Sequence, residues 1–334
     1  MAHPIHRRTA IAGLGAALAL PAGLARAQSG SVVIYTSNNQ QAFEAVVETA
    51  GKRLPGVKLS AITGGSGQLL RRLEAEAAKP QGDIFWSSSA NTLGAFKALY
   101  EPYRSPELAA IPAALHQPQN LWSAANLHVA VAMVNTKQLG GGAAPKTWTD
   151  LLDARYKGKI IIADPANSST ALTILWGVEK MLGAEGLKRL AANVKVTSAA
   201  ATVLRSVGQG EFPVGLTFES NAYAYVAGGQ KEISLVYPSD GTFTTPEFFA
   251  LMKGAPAGEL AKKVCDHLLS REAQTELLLA AFRRPARSDI DVSKHVQLPP
   301  LSSIKVFPID EEEAAAKRAD FLKRWQALAA AAGN

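Results

Sequence analysis

The sequence predicts an α/β protein built from two lobes. Short apolar runs alternate with longer stretches in which apolar residues recur every three or four positions. Such alternation of strand and helix favours a parallel sheet with helices on its faces. The chain has 334 residues, which is more than a single hydrophobic core usually fills, so its length indicates two lobes.

The predicted elements follow one another as strand and helix through both lobes. In the first lobe we expect strands at 32–35, 57–62 and 83–86, and helices at 40–54, 66–79 and 92–100. A strand at 128–135 leads out of this lobe. In the second lobe we expect strands at 159–162, 195–197, 213–218 and 233–237, and helices at 170–182, 185–192, 201–209 and 221–227.

This order divides residues 28–334 into three parts. They are predicted as the first lobe, the second lobe, and a return to the first lobe with C-terminal packing helices: 28–130, 131–243 and 244–334. In a last helix, predicted at 311–332, Phe321, Trp325 and Leu328 are spaced i, i+4, i+7 and form one apolar face. We expect this helix to clasp a lobe.

Residues 1–27 are predicted to form a signal peptide that is cleaved near Ala27. Arg7 and Arg8 form a basic start, residues 10–24 are apolar and small, and Ala-Arg-Ala precedes the cleavage point. The arginine pair allows twin-arginine export, and general secretion stays open as the other route. Because no later apolar run reaches the ~18–20 residues that span a bilayer, we expect a soluble mature protein in the periplasm.

The charge of the sequence argues against nucleic-acid binding, and its cysteine content argues against a disulfide or a cysteine metal site. Three positive charges of the net charge of +7 precede Gln28, which leaves +4 on the mature chain. Its basic residues are interleaved with acids, so we expect no nucleic-acid binding. The single cysteine, Cys265, can form neither an internal disulfide nor a cysteine metal cluster. We expect no metal site and no cofactor.

A polar turn at 164–170 is the most informative local feature. It follows an apolar run that ends at Ala163 and precedes a helical pattern that starts near Thr170. Hydroxyls and backbone N–H groups therefore cluster at a helix N-terminus, where unpaired N–H groups and the helix dipole attract anions. For this turn alone, an ordinary helix cap is the alternative interpretation.

Four further polar loops follow buried strands and are predicted at the same edge of the sheets. Ligands of doubly wound sheets bind beyond the carboxyl ends of the strands. The loops carry many neutral donors and few cations, which suits an anion held by hydroxyls and backbone amides. Helix capping and turn chemistry explain each loop taken singly. The candidate ligand-binding residues of the five loops are Thr36, Ser37, Asn38, Gly65, Ser66, Ser88, Ser89, Asn167, Ser168, Ser169, Thr170 and Glu219.

Two charged residues have more than one interpretation. Glu219 is suited to accept hydrogen bonds from sugar hydroxyls or an ammonium group, and a structural carboxylate at a helix start is an equal alternative. Arg284 lies in the basic turn 283–289 and is suited to bind a phosphate or phosphonate through two parallel hydrogen bonds. Arg287 competes for that role, and a surface or hinge ion pair is the other interpretation of this turn.

Several motifs together resemble the periplasmic solute-binding proteins of ABC importers, in the group that spans ferric-iron, hexose-phosphate, phosphoglycerate and aminoethylphosphonate binders. The resemblance implies a type II periplasmic binding protein, a monomer with two α/β lobes, a ligand cleft between them and strands that cross twice. It also implies an inner-membrane permease and an ATPase as partners. The motifs are VIYTS at 33–37, TWTDLL at 147–152, YKGKI at 156–160, DPANSSTA at 164–171, GEFPVG at 210–215, PE at 246–247, KGAP at 253–256 and LSREAQ at 269–274.

Within that group the resemblance favours a small organic anion, of the phosphonate or sugar-phosphate type, over iron. The ferric binders use adjacent tyrosines just after the strand that corresponds to 213–218. Here that place contains Glu219, and the nearest tyrosines, Tyr223 and Tyr225, are two positions apart. On a helix such residues point in different directions, which opposes joint chelation of one metal. A ferric-iron-binding protein stays the alternative.

An enzyme on the same bilobal fold is the alternative from another class. Enzymes on this fold use a cysteine or carboxylate nucleophile, but Cys265 falls in a helical pattern and is expected to be buried packing. The sequence has neither a G-x-S-x-G nor an H-E-x-x-H motif. We therefore expect no catalytic residue and no enzymatic activity.

Overall fold

A computed structural model describes residues 29–334, so the predicted signal peptide lies outside the described residues. The strands in this range are β1 (Gly30–Thr36), β2 (Val57–Thr63), β3 (Ile84–Trp86), β4 (Ser123–Asn135), β5 (Ile160–Ala163), β6 (Val194–Thr197), β7 (Val214–Phe218), β8 (Ile233–Val236), β9 (Thr244–Leu251) and β10 (Arg284–Pro285). They form one mixed sheet in the order β2-β1-β3-β9-β4-β7-β5-β6, and β8 and β10 also pair with β4.

Helices pack against the sheet in both lobes of the protein. Within residues 29–334, no helix is both long enough and apolar enough to span a bilayer. The helices are α1 (Gln40–Arg53), α2 (Ser66–Ala75), α3 (Ala90–Leu93), α4 (Ser169–Asn193), α5 (Ala200–Gly208), α6 (Glu219–Ala227), α7 (Glu259–Leu269), α8 (Arg271–Ala281), α9 (Glu311–Ala316) and α10 (Arg318–Ala331).

The first lobe is built on the parallel strands β2, β1 and β3. Helix α1 begins where the Asn39 side chain accepts a hydrogen bond from the backbone N–H of Ala42 at 3.0 Å. It ends with Lys52 and Arg53, whose charges suit the negative end of the helix dipole. The buried face of α1 packs against α7 and α8, so the chain returns to this lobe after β9.

The long strand β4 connects the lobes. Residues 123–129 pair antiparallel with β9 in the first lobe, and residues 130–135 pair antiparallel with β7 and β8 in the second. Strand β9 returns beside it. These two crossing strands are antiparallel, because a strand that returns along the same path must run in the opposite direction, whereas the first lobe keeps the expected parallel pairing of β2, β1 and β3.

The second lobe has its own core. Strand β5 is parallel to both β6 and β7. Trp148 stacks on Phe243 with 5.0 Å between ring centroids, and its indole N–H donates to the Gly241 carbonyl at 3.1 Å. Helix α10 also belongs to this core, because Phe321 and Trp325 are buried among its residues. The C-terminal helix therefore packs on the second lobe.

Four predicted helices differ from the structure in where they are continuous. The helix expected at 92–100 is only the short α3, followed by 3₁₀ turns at 94–99. A Cβ on Gly94 would lie 2.7 Å from Ala315, so close packing against α9 fixes this irregular segment. The helices expected at 170–182 and 185–192 form one element, α4, kinked at Gly183 with φ 74°. The last helix is divided into α9 and α10 at Lys317.

Candidate functional site

The two lobes meet along a cleft between the start of α2 and the turn before α4. The Ser169 N–H donates to Ser66 Oγ at 3.0 Å, and the Gly67 N–H donates to the Asn167 carbonyl at 3.5 Å. Arg71 adds a hydrogen bond to Asn167 Oδ1 at 2.9 Å. The lobes are therefore in direct contact, and the structure is a closed form.

The turn at 164–170 is organised by its own side chains. Asp164 accepts from the Ala166 N–H at 2.9 Å and from Asn167 Nδ2 at 3.2 Å. Ser168 caps α4 by accepting from the Ala171 N–H at 3.3 Å. Thr170 lies half-buried in the first turn of that helix. Ser168 thus acts as a cap, and the positive end of the α4 dipole faces the first lobe.

The glycine-containing loop after β2 lies against the other lobe. A Cβ on Gly65 would be 2.6 Å from the Asn167 carbonyl oxygen, and one on Gly67 would be 1.9 Å from the Ala166 carbonyl oxygen. Ser66 is buried between them and bonds to Ser169. In the closed form these glycines allow one lobe to approach the other.

The loops after β1 and β3 come together on the first lobe. The hydroxyls of Ser37 and Ser87 share a hydrogen bond, and Asn38 Nδ2 donates to the Trp86 carbonyl at 3.3 Å. The backbone N–H of Asn38 donates to Thr36 Oγ1 at 3.1 Å, which closes this loop. Thr36, Ser37 and Asn38 therefore lie beside the start of the β3 loop.

Ser88 has an unusual backbone in this cluster. Its φ is 89°, a region that residues with a side chain rarely adopt. Its carbonyl accepts from the Phe248 N–H at 2.9 Å, which ties the loop to the crossing strand β9. Strained backbone of this kind is found at binding sites, where the surrounding structure holds it in place.

Ser89 belongs to a buried polar network between the lobes. Its hydroxyl donates to Asn91 Oδ1, and Asn91 Nδ2 donates to Thr173 Oγ1 on α4 at 2.9 Å. Glu311 accepts from the Asn91 N–H at 2.7 Å and from the hydroxyl of Thr245 on β9. Burial raises the pKa of Glu311 to about 7. The Glu311 side chain of α9 thus caps the start of α3 beside the cleft.

Glu219 and Arg284 are paired with each other across the lobes. Arg284 Nε and Nη2 donate to the two Glu219 oxygens at 2.6 and 2.8 Å, and both side chains are buried. The Tyr237 hydroxyl donates to Glu219 at 2.6 Å, and Arg284 also donates to the Pro299 carbonyl at 2.7 Å. The carboxylate expected to receive ligand hydroxyls or an ammonium group is already bonded inside the protein.

Arg287, the competing arginine, faces the first lobe. It donates to Glu107 and to the Leu269 carbonyl, both at 2.9 Å, and to the two oxygens of Asp289 at 2.8 and 2.9 Å. These bonds hold the turn after β10 against α7. Arg287 is thus a structural ion-pair residue.

Arg283, which sequence reasoning missed, also lies at the cleft. Arg283 Nη2 donates to Asn38 Oδ1 at 2.9 Å, and Nη1 lies 3.0 Å from His128 Nε2 and 3.8 Å from Glu247 Oε1. Asn126 on β4 faces Glu247 on β9 in the ladder. All five residues lie beside the two crossing strands.

Electrostatics in this cluster favour an Arg283–Glu247 ion pair beside a neutral imidazole. Burial lowers the pKa of His128 and outweighs the opposite effect of Glu247. Burial raises the pKa of Glu247, but Arg283 and then His128 act against it and lower this pKa overall. The His128 ring stacks on Phe218 of the second lobe at 4.4 Å, so the cluster also touches both lobes.

The missed residues had a weak signal in the sequence. Asn126 and His128 are polar positions in an otherwise apolar strand, and Glu247 follows Pro246. A polar residue in a buried strand requires partners, which marks it for attention. The sequence does not show which neighbouring strands supply those partners.

The two tyrosines of α6 point apart. The Tyr223 ring packs edge-on against Phe282 of the first lobe, with 4.9 Å between centroids. A Cβ on Gly208 would lie 2.4 Å from the Tyr225 ring, so Tyr225 packs on α5. Among residues 29–334, no group of three or more histidine, cysteine, aspartate or glutamate side chains is arranged to hold a metal ion.

The fold and the cleft define a two-lobed α/β ligand-binding protein of the type II periplasmic class. The chain belongs to the family of bacterial extracellular solute-binding proteins, whose profile matches residues 80–316. The fold class and the resemblance expected from the sequence are thereby confirmed.

Three similar proteins illustrate the family. An uncharacterized protein of Haemophilus influenzae is 32% identical over 275 residues, covering 76% of this chain and 78% of the relative. A Salmonella typhi protein, named provisionally as a 2-aminoethylphosphonate-binding periplasmic protein, is 25% identical, with 71% and 72% covered. The fructose-6-phosphate-bound structure of the periplasmic binding protein AfuA from Actinobacillus pleuropneumoniae has a TM-score of 0.81 and 28% identity, with 89% and 98% covered.

Proposed function

We propose that the protein is the periplasmic substrate-binding component of an ABC importer that captures a small organic anion of the phosphonate or sugar-phosphate type. Membership of the solute-binding family supports a role in capturing a ligand for transport rather than in catalysing a reaction. The periplasmic location rests on the sequence of residues 1–27 and on the family. The partners in this proposal are a permease and an ATPase of the inner membrane.

The meeting of two helix N-termini across the cleft carries the proposal of an anion. The starts of α2 and α4 are linked by the bond from the Ser169 N–H to Ser66 Oγ at 3.0 Å. An anion oxygen at this place can accept hydrogen bonds from both the Ser169 N–H and the Ser66 hydroxyl, because two positive helix ends meet there. In the open protein, the N–H groups of both helices face the cleft.

The proposed ligand-binding residues come from both lobes. The loops 36–38 and 65–66 and the pair Ser88–Ser89 supply the first lobe, and residues 167–170 supply the second. In this proposal the Glu219–Arg284 ion pair forms the wall of the cleft beside the crossing strands. Hinge closure about β4 and β9 brings the two sets together around the ligand.

Two of the similar proteins support an organophosphorus ligand. One is named for 2-aminoethylphosphonate binding, and AfuA holds fructose 6-phosphate. The divergence of Tyr223 and Tyr225 argues against chelation of ferric iron by this pair. We therefore rank iron second.

A thermal-shift screen of the chain from Gln28 onward tests the proposal. The panel contains fructose 6-phosphate, 2-aminoethylphosphonate, inorganic phosphate and ferric citrate. A ligand at 100 times its Kd adds about 2.7 kcal/mol and raises Tm by several degrees. We expect a shift with a phosphorus compound that Ser66→Ala reduces and the exposed control Ser303→Ala leaves unchanged. A shift with ferric citrate alone would refute the proposal.

A further inference from the structure

Four buried polar atoms without a hydrogen-bond partner lie together beside the crossing strands. In the described range they include both side-chain polar atoms of Asn126, Oε2 of Glu247 and Nε of Arg283. The three residues are only 1%, 3% and 4% exposed. They are neighbours, because Asn126 faces both Glu247 and Pro285 in the ladders and Arg283 Nη1 lies 3.8 Å from Glu247 Oε1.

Such a concentration of unpaired polar atoms marks a place where the folded protein leaves hydrogen bonds unmade. Buried donors and acceptors are nearly always paired, and those that are not call for an explanation. The cluster touches the candidate cleft directly, since Arg283 also bonds Asn38 and His128 stacks on Phe218 of the other lobe. A ligand that offers partners to these atoms should therefore bind more tightly than one that does not.

The mixture of donors and acceptors selects the chemistry of that partner. Glu247 Oε2 and Asn126 Oδ1 accept, whereas Asn126 Nδ2 and Arg283 Nε donate. A phosphate or carboxylate satisfies only the donors and is repelled by Glu247. An ammonium group satisfies only the acceptors and is repelled by Arg283. A hydroxyl both donates and accepts, so hydroxyl groups satisfy both kinds of atom.

We propose that Asn126, Glu247 and Arg283 form a hydroxyl-recognising subsite, and that the ligand is a polyhydroxylated anion rather than an amino-phosphonate. This inference rests on the proposed function, in which the anionic end of the ligand lies at the start of α4. The loop 87–89 connects the two places, because Ser87 bonds Ser37 beside Arg283 and Ser89 Oγ lies 3.5 Å from Thr173 Oγ1 of α4.

Matched ligands and matched variants test the subsite. The affinities of fructose 6-phosphate, glycerol 3-phosphate, propyl phosphate and 2-aminoethylphosphonate are measured by calorimetry with the chain from Gln28 onward. Propyl phosphate has the skeleton of glycerol 3-phosphate without its two free hydroxyls. The variant Asn126→Leu keeps the side-chain size and removes two atoms that have no partner in the protein, so it is expected to keep the ligand-free Tm.

We expect a hydroxylated phosphate to bind at least about tenfold tighter than propyl phosphate, and Asn126→Leu to remove most of that ratio. The control Asn135→Leu lies on the same strand, but Asn135 bonds Val207 and Lys137 within the protein. It is expected to lower Tm and to leave the ratio unchanged.

Two outcomes would overturn the subsite. One is tighter binding of 2-aminoethylphosphonate than of both hydroxylated phosphates. The other is an unchanged ratio in Asn126→Leu, whether the affinities stay the same or fall equally for all ligands. If no phosphorus compound binds and ferric citrate does, the proposed function itself fails.

Discussion

Adding one methyl group at Gly67 is expected to oppose closure of the lobes. A Cβ there would lie 1.9 Å from the Ala166 carbonyl oxygen, 3.0 Å from its carbonyl carbon and 3.3 Å from Asn167 Cα. All three are backbone atoms, which cannot move aside as a flexible side chain does. The φ of Gly67 is not positive, so alanine fits the local backbone. The clash therefore acts on the arrangement of the lobes.

The size of the effect follows from the gap that must open. Ordinary contact with a Cβ begins near 3.4 Å, so Gly67→Ala requires a separation of roughly 1.5 Å at this point. Such a movement takes the Ser169–Ser66 bond of 3.0 Å and the Gly67–Asn167 bond of 3.5 Å out of range. Two bonds worth about 0.5–1.5 kcal/mol each amount to about 1–3 kcal/mol. Ligand affinity should fall by roughly 5- to 150-fold.

The assay compares Gly67→Ala with a control variant, Gly51→Ala, whose added methyl group makes no close contact. Gly51, in α1 of the same lobe, has no atom within 4 Å of the position that an added methyl group would take. Calorimetry with the compound that gives the largest thermal shift measures affinity, and X-ray scattering measures the opening of the lobes. In both variants alanine favours the helix, so neither change weakens the helix itself. Unchanged affinity in Gly67→Ala, or an equal loss in Gly51→Ala, would refute this reasoning.

Three further changes have outcomes fixed by burial and charge. Glu219→Ala leaves Arg284 buried without its partner and should lower the unfolding free energy in urea by about 3–5 kcal/mol; a loss under 1 kcal/mol would contradict this pairing. Burial raises the pKa of Glu311 from 4.5 to about 7, so the folded protein retains a proton that the unfolded chain releases. The unfolding free energy should therefore fall as the pH rises from about 4.5 to 7, by up to about 3 kcal/mol, and Glu311→Gln should flatten this slope in urea titrations; identical slopes would argue against a buried proton. Trp325→Ala removes a buried indole of α10 and should cost about 3–5 kcal/mol in the same titrations, whereas a change within 0.5 kcal/mol would show that this helix is not held by its apolar face.

Local pattern predicted most of the strands and the loops that follow them. The strands at 32–35, 57–62 and 159–162 are short apolar runs with clear ends, and each is found in the structure within one or two residues. Pairing between distant segments is not a local property. The short β10 was missed because two residues carry no periodicity. Strand β9 was missed because it is defined by its pairing with β4, a segment far away in the sequence.

The candidate site shows the same limit at the level of single residues. Arg283 and Arg284 are adjacent, and their side chains lead to different partners, Asn38 and Glu219. In extended chain, neighbouring side chains point to opposite sides, so the sequence can indicate an arginine at this place but not which of the two reaches the cleft. The Arg283–Asn38 contact lies within the first lobe, whereas the Arg284–Glu219 contact joins the two lobes.

The contacts between the lobes are of two kinds, and their positions suggest how ligand capture couples to closure. The Glu219–Arg284 ion pair lies beside β4, next to the Ala130–Phe218 pair of the ladder, where rotation about the crossing strands moves atoms least. The bond between Ser66 and Ser169 joins α2 and α4 through a neutral hydroxyl, which an anion oxygen can replace with a stronger, charge-assisted bond. An anion at this place would therefore shift the equilibrium toward the closed form by its greater affinity for that form, while the buried ion pair keeps the lobes in register.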